Sequence, residues 1–119
     1  MWKGIHVLGR RDDSTDLLPG TLHLMILRTL QHEQLHGYAI TKRIRELSSG
    51  EIEIEDGSLY PALTRMVLKG WLKARPALSE NQRKIKLYEL TPAGRSRLEQ
   101  ESGTFNKMIR AIQLVMKPS

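Results

Sequence analysis

Two β-rich runs, WLKARPAL at residues 71–78 and RKIKLYEL at residues 83–90, are separated only by Ser79-Glu80-Asn81-Gln82 in a chain otherwise patterned for helices. Turn formers between two such runs read as a hairpin. Its far arm opens with Arg83, Lys84 and Lys86, so the tip is basic, while Tyr88 and Leu90 read as core. The rest of the fold must therefore be helices arranged around one small β element.

The segment LLPGTLHLMILRTL (residues 17–30) has Pro19 at a first helical position and is apolar on almost every side. Such a helix in so short a chain needs cover on two faces, one from its own core and one from a second subunit. Gly37 is expected to break it. A short amphipathic helix follows through AITKRIREL, with Ile40, Ile44 and Leu47 inward and Lys42, Arg43 and Arg45 outward. The alternation in EIEIED predicts a short strand with Ile52 and Ile54 on one face, and Asp56 with Ser58 are candidate caps for a third helix. With Ser58 as the cap, Pro61 falls in the first turn, where its missing N–H would have had no helical partner. That third helix, within GSLYPALTRMVLKGW, turns Leu59, Leu63, Met66 and Val67 inward and leaves Tyr60, Pro61, Thr64, Arg65 and Lys69 outside; Trp71 at its end reads as core.

After the hairpin, Thr91-Pro92-Ala93-Gly94 supplies a cap and a first-position proline for a long terminal helix. In it Leu98, Phe105 and Ile112 fall seven apart, with Met108 and Val115 on an intermediate stripe, a seam suited to a second helix and weakened at Gly103. The organisation is a polar arm or short added element (1–16), a body of helices and hairpin (17–91) and a terminal helix (92–119).

Composition narrows the chemistry. With 119 residues, 39% of them apolar, the chain can build a modest core but has little material left for a deep cleft, which favours a binding module over an enzyme. No cofactor and no catalytic residue is expected: cysteine is absent, and no phosphate loop or nucleophile turn accompanies any serine. Of the four histidines only His32 and His36 stand four apart, too little for a metal site. No stretch approaches the roughly 18 apolar residues of a membrane span, and the chain reads as cytoplasmic with no membrane partner. The net charge of +6 is unevenly placed: residues 57–98 hold 9 Lys and Arg against 2 Asp and Glu, while residues 1–56 hold 7 against 9. Positive charge concentrated in one block suits a polyanion.

Three helices followed by a two-stranded wing describe a mainly α fold, the winged helix-turn-helix, in which the third helix enters the DNA major groove and the wing reaches backbone phosphate. The residues become more specific still. LPGTLHLMILRTL, LHGYAITKRI, DGSLYPALTRM, GWL and SENQRKIKLYELTPAGRSRL, in this order over about residues 17–102, resemble the PadR family of bacterial transcription regulators, in its small form with one carboxy-terminal helix. The resemblance implies a homodimeric repressor of double-stranded operator DNA, with Leu98, Phe105, Met108 and Ile112 at a dimer interface that can also enclose a small aromatic or drug-like effector. It aligns Tyr38, the Ser58-Leu59-Tyr60-Pro61 turn and Arg83-Lys84 with DNA-facing positions, to which the outer faces of the helices add Lys42, Thr64 and Arg65. Asp56-Gly57-Ser58 departs from the family's Pro-Gly-Thr, and the acids Glu51, Glu53, Glu55 and Asp56 are expected to face away from phosphate. The competing reading is a winged-helix protein-interaction module that binds no DNA, for which the basic tip at Arg83, Lys84 and Lys86 would be unnecessary.

Overall fold

The computed structural model describes residues 5–7 and 19–118. The elements run β1 (Ile5–Val7), α1 (Pro19–Thr29), α2 (Gly37–Leu47), β2 (Ile52–Ile54), α3 (Asp56–Leu68), β3 (Leu72–Leu78), β4 (Lys84–Leu90) and α4 (Pro92–Met116). The order of helices, short strand, hairpin and terminal helix is the one expected. Most of the polar arm lies outside the described residues; within it Ile5–Val7 pairs antiparallel with β2, Ile5 opposite Ile54 and Val7 opposite Ile52.

One core joins all the elements from α1 onwards. Leu22, Ile26 and Leu27 of α1, Ile40 of α2, and Leu59, Ala62, Leu63 and Met66 of α3 are wholly buried, and Leu72, Tyr88 and Leu90 close it from the hairpin. Leu24 and Met25, on the other side of α1, are partly buried against this core. Ile54 is buried and Ile52 partly so, as the alternation predicts. Trp71, expected in the core, is only half-buried at its edge.

Several local expectations are corrected. The first helix ends at Thr29 without help from Gly37, which is the first residue of α2. Between them the loop is pinned: the Glu33 carboxylate meets Arg43 at 2.6 Å, Arg75 Nε donates to Gln34 Oε1 at 3.0 Å, and Leu35 exchanges backbone hydrogen bonds with Tyr88 at 3.1 and 2.9 Å. Gly37 is needed for a close approach, since a Cβ there would stand 2.6 Å from the Tyr60 hydroxyl. Leu47, expected inward, is 66% exposed, because it is the last residue of α2 and the chain then turns off through Ser49 and Gly50, both at positive φ. Arg43, expected in solvent, is engaged by Glu33. Helix α3 opens at Asp56, with Glu55 extended at the N-cap position and its carbonyl accepting from Ser58 and Leu59. Ser58 is therefore inside the first turn, and Pro61 is the sixth helical residue rather than a first-turn one. Its ring forgoes a bond to the Gly57 carbonyl, and since both residues are exposed, water can replace it.

The α3–α4 junction is tightly built. Gly70, at φ +80, ends α3: its N–H reaches the Val67 carbonyl at 3.0 Å and that of Trp71 reaches Met66 at 3.0 Å, the paired bonds of a Schellman motif. The first turn of α4 is set on this turn. The Thr91 hydroxyl accepts from Gly94 N–H at 3.0 Å as the cap and directs its own proton at the Gly70 and Trp71 carbonyls, at 2.6 and 3.0 Å. Gly94 lies so close to the Trp71 carbonyl that a Cβ would overlap it. Leu98, expected on an open seam, is only 3% exposed and belongs to this subunit's own core. Beyond it α4 passes through Gly103 unbroken, and residues 103–118 are all exposed, giving the molecule a long dimension of 58 Å.

Around Trp71 three helices meet. The His23 ring of α1 lies edge-on to the indole at 6.0 Å, the Arg97 guanidinium of α4 sits 4.8 Å from the indole centroid and Lys69 Nζ is 5.0 Å from it, while Arg97 pairs with Glu101 at 2.8 Å. His23 Nε2 is buried without a hydrogen-bond partner. Burial foremost, and then the charges of Arg65, Lys69 and Arg97 opposed by Glu101, hold the imidazole below its ordinary pKa.

Two outcomes follow from this packing. Gly94→Ala forces the α4 start away from Trp71 and should destabilise the fold by about 1–3 kcal/mol, the usual range for overpacking, read as a drop in thermal midpoint. Because the folded state resists protonating His23, the unfolded chain takes up that proton first; stability is full above the ordinary histidine value of 6.5 and falls as pH drops from there towards the lowered folded value. Thermal midpoints measured across that window should decline for the wild type and decline less for His23→Gln.

Candidate nucleic-acid interface

The buried stripe of α3, formed by Leu59, Ala62, Leu63 and Met66, fixes what the opposite side can present. At about 100° per residue, two rows flank that side. Tyr60 and Thr64 form one, Pro61, Arg65 and Lys69 the other, and all five are exposed. The first row borders α2, since the Tyr60 ring lies over Gly37, and also β4, since burial and then the Tyr60 phenol raise the pKa of Tyr88. The second row borders α1, where the charges of Arg65 and Lys69 reach His23. Thr64 and Arg65 are thus on different flanks of the helix. Tyr60 braces α2 and the hairpin, yet remains 44% exposed.

From α2, Tyr38 is 69% exposed and Lys42 is exposed one turn further on. Ser58 is partly buried in the first turn of α3. At the hairpin tip Gln82 takes a positive φ of 60°, Ser79 and Arg83 exchange hydrogen bonds, and Arg83, Lys84 and Lys86 are exposed, the two lysines on one face of β4. Leu78, opposite Lys84, is exposed beside them. No ion pair among the described residues engages Lys42, Arg65, Arg83, Lys84 or Lys86. Arg43, Arg75 and Arg97 differ: each is committed to a partner inside the fold.

The acids near α3 are not buried away. Glu51, Glu55 and Asp56 are exposed and Glu53 is half-buried in β2. Asp56 stands in the first turn of α3, where the positive end of the helix dipole stabilises its charge. Among residues whose role the residue pattern did not give, His36 caps α2, its Nδ1 accepting from Ala39 N–H at 3.1 Å. A histidine directly before Gly-Tyr-Ala and an amphipathic run is the signal that was there to find. The described residues contain no group of three or more His, Cys, Asp or Glu that could hold a metal, and no helix among them is long and apolar enough to cross a membrane.

The distal half of α4 is a separate surface. Phe105, Met108, Ile109, Ile112 and Met116 follow one another at helical spacing on one side, all exposed. Contiguous exposed apolar surface of this kind marks an interaction site.

These features have counterparts in other proteins. The family model described as the transcriptional regulator PadR-like family matches residues 26–100. A 37.1 kDa protein of transposon Tn4556 from Streptomyces fradiae is 38% identical over 85 residues, 71% of this chain, which spans 23% of that protein. Among solved structures, a transcriptional regulator from Clostridium thermocellum superposes with a TM-score of 0.75 at 26% identity, covering 82% of this chain and 95% of its own. Bacillus subtilis PadR, solved in complex with operator DNA, gives a TM-score of 0.60 at 26% identity over 66% of this chain and 45% of its own. With the family model running from the middle of α1 through the winged helix into α4, the chain belongs to the PadR-like family of transcriptional regulators.

Proposed function

We propose that the protein is a homodimeric repressor that holds operator DNA with α2, α3 and the β3–β4 wing and is released by a small aromatic or drug-like effector. The observation that carries the DNA-binding part is the contact of Tyr60 with Gly37, which locks α2 to α3 so that Tyr38, Lys42, Tyr60 and Thr64 stand exposed about one junction. In the docking expected of a winged helix, α3 enters the major groove with Ser58, Tyr60, Pro61, Thr64 and Arg65 towards the DNA, and Arg83 and Lys84 reach phosphate. The operator complex of Bacillus subtilis PadR supports that docking by analogy. A protein-interaction module would leave the exposed Arg83, Lys84 and Lys86 without a task.

Dimerisation rests on the exposed stripe of α4, which a second copy would cover; Phe105, Met108 and Ile112 supply the seam, with Leu98 withdrawn into the subunit core. The same aromatic and adaptable apolar side chains are a suitable lining for a flat effector between two copies. Loss of DNA affinity on titration with planar aromatic compounds would support the effector; no response across a broad panel would remove it. Reporter transcription from the bound promoter, rising when the gene is deleted, separates repression from activation.

Two sets of variants test the architecture. Phe105→Glu places a charge in the seam and should weaken dimerisation at least about a hundredfold, or about 2.7 kcal/mol, in sedimentation while leaving the subunit fold intact. Arg65→Ala should cost about 1–3 kcal/mol on the operator and much less on scrambled duplex if the guanidinium reads a base. Equal losses on both duplexes would make it a phosphate contact, the role its flank beside α1 suits better than Thr64's. Lys84→Ala should weaken both duplexes alike and flatten the slope of log affinity against log salt by about one unit for every phosphate that each subunit then leaves unneutralised.

A further inference from the structure

The Tyr60 and Thr64 row of α3 does not end at Thr64. Each step of four residues advances about 40° round the helix, so the row winds from the α2 flank across the outer side and comes to Leu68, the last residue of α3. By the same period Gly57, Pro61, Thr64 and Leu68 fall within about 60° of one another, opposite the buried Leu59, Ala62, Leu63 and Met66. All four are exposed, and Leu68, at 81%, is more so than any other leucine, isoleucine or valine described before α4.

A lone exposed leucine needs no explanation. What distinguishes this one is its setting. The outer midline of α3 carries no charge and no amide, the groups that pair bidentately with guanine or adenine, and its one polar side chain is Thr64. Cations stand to either side: Arg65 on the α1 flank of the same helix and Lys42 on α2, and no ion pair among the described residues engages either. Asp56, the one acid of α3, is at the other end of the helix, about 18 Å from Leu68 along the axis.

An apolar ridge between cationic shoulders suits a groove with phosphate on both walls and an apolar feature on its floor. In the major groove of DNA that feature is the thymine 5-methyl. A G·C edge offers donors and acceptors, which a leucine would strip of water and leave unpaired. We infer that Leu68 is a specificity-determining residue of the operator complex: its side chain packs on a thymine methyl in the major groove, about one helical turn beyond the base step that Thr64 faces. This rests on the DNA-binding reading above, and it lays α3 along the groove for most of its length. Being uncharged, the contact selects a base without adding to the salt dependence.

Short duplexes enriched by the wild type from a random-sequence library supply the probe. They should share a thymine at a fixed position that duplexes enriched by Leu68→Ala do not share. Replacing that thymine by deoxyuridine removes the methyl and keeps the base pair. Wild-type affinity should then fall about fourfold, the usual loss when one methyl is returned to water, with the salt slope unchanged. Leu68→Ala should bind the two duplexes equally, since the methyl has lost its partner. Leu68 is exposed and alanine is a good helix former, so the variant should keep the wild-type thermal midpoint. No loss for the wild type at any thymine overturns the assignment without recourse to a variant, and so does an equal loss in both proteins at every one. Leu68→Ala that keeps its duplex binding but self-associates more weakly in sedimentation also overturns it, making Leu68 a contact between two copies. Wild type that enriches no duplex at all would sink the DNA-binding reading itself, a result distinct from enrichment that is indifferent to the methyl.

Discussion

The structure depends on the way the first turn of α4 is set against the carbonyls that end α3. Thr91 caps its own helix and, through the same hydroxyl, holds Gly70 and Trp71, while Gly94 lets the two backbones meet. A two-stranded ribbon alone is marginal in water, and this junction joins the Leu35–Tyr88 backbone bonds in holding the hairpin to the helices. With it, the hairpin is closed between α3 and α4, Leu90 and Leu98 enter the core together, and the helix carrying the exposed Tyr60 and Arg65 rows is joined directly to the helix carrying the exposed apolar stripe.

The elements legible in the sequence were those written in local chemistry. Thr91-Pro92 caps α4 where a threonine before a proline should, and the Ile52 and Ile54 alternation makes a strand with one buried face. What escaped was decided by distant partners. Ser58 has the chemistry of a cap, yet α3 opens two residues earlier, directly after β2. Gly37 looks like a breaker in one dimension and proves to be the space that Tyr60 occupies. Leu98 fits a heptad with Phe105 and Ile112, but its place in the subunit core outweighs its register with them.

The same limit applies to the candidate interface. Its composition was legible: exposed Tyr38, Lys42, Thr64, Arg65, Arg83 and Lys84 all stand where the helical and strand periods put them, outside the core. Which charges are available was not. Arg43, Arg75 and Arg97 are as basic as Arg65 and Arg83, and only tertiary contacts with Glu33, Gln34 and Trp71 distinguish those that hold the fold from those left over for a partner. Nor does adjacency in sequence mean adjacency in aim, as Thr64 and Arg65 demonstrate.

The continuity of α4 through Gly103 gives the helix the character of a lever. Its fulcrum is the Thr91–Trp71 junction, and at 1.5 Å per residue its 25 residues extend about 37 Å. A tilt of about 10° at the fulcrum sweeps the far end through about 6 Å, and conversely a partner that holds the far end biases the angle at which α3 is presented. In an assembly joined through the distal apolar stripe, the distance between two α3 helices is therefore governed by packing far from either of them. A glycine midway along a lever is a point of compliance, so the fidelity with which that distance is transmitted is tuned at an exposed residue outside the core and outside the candidate interface.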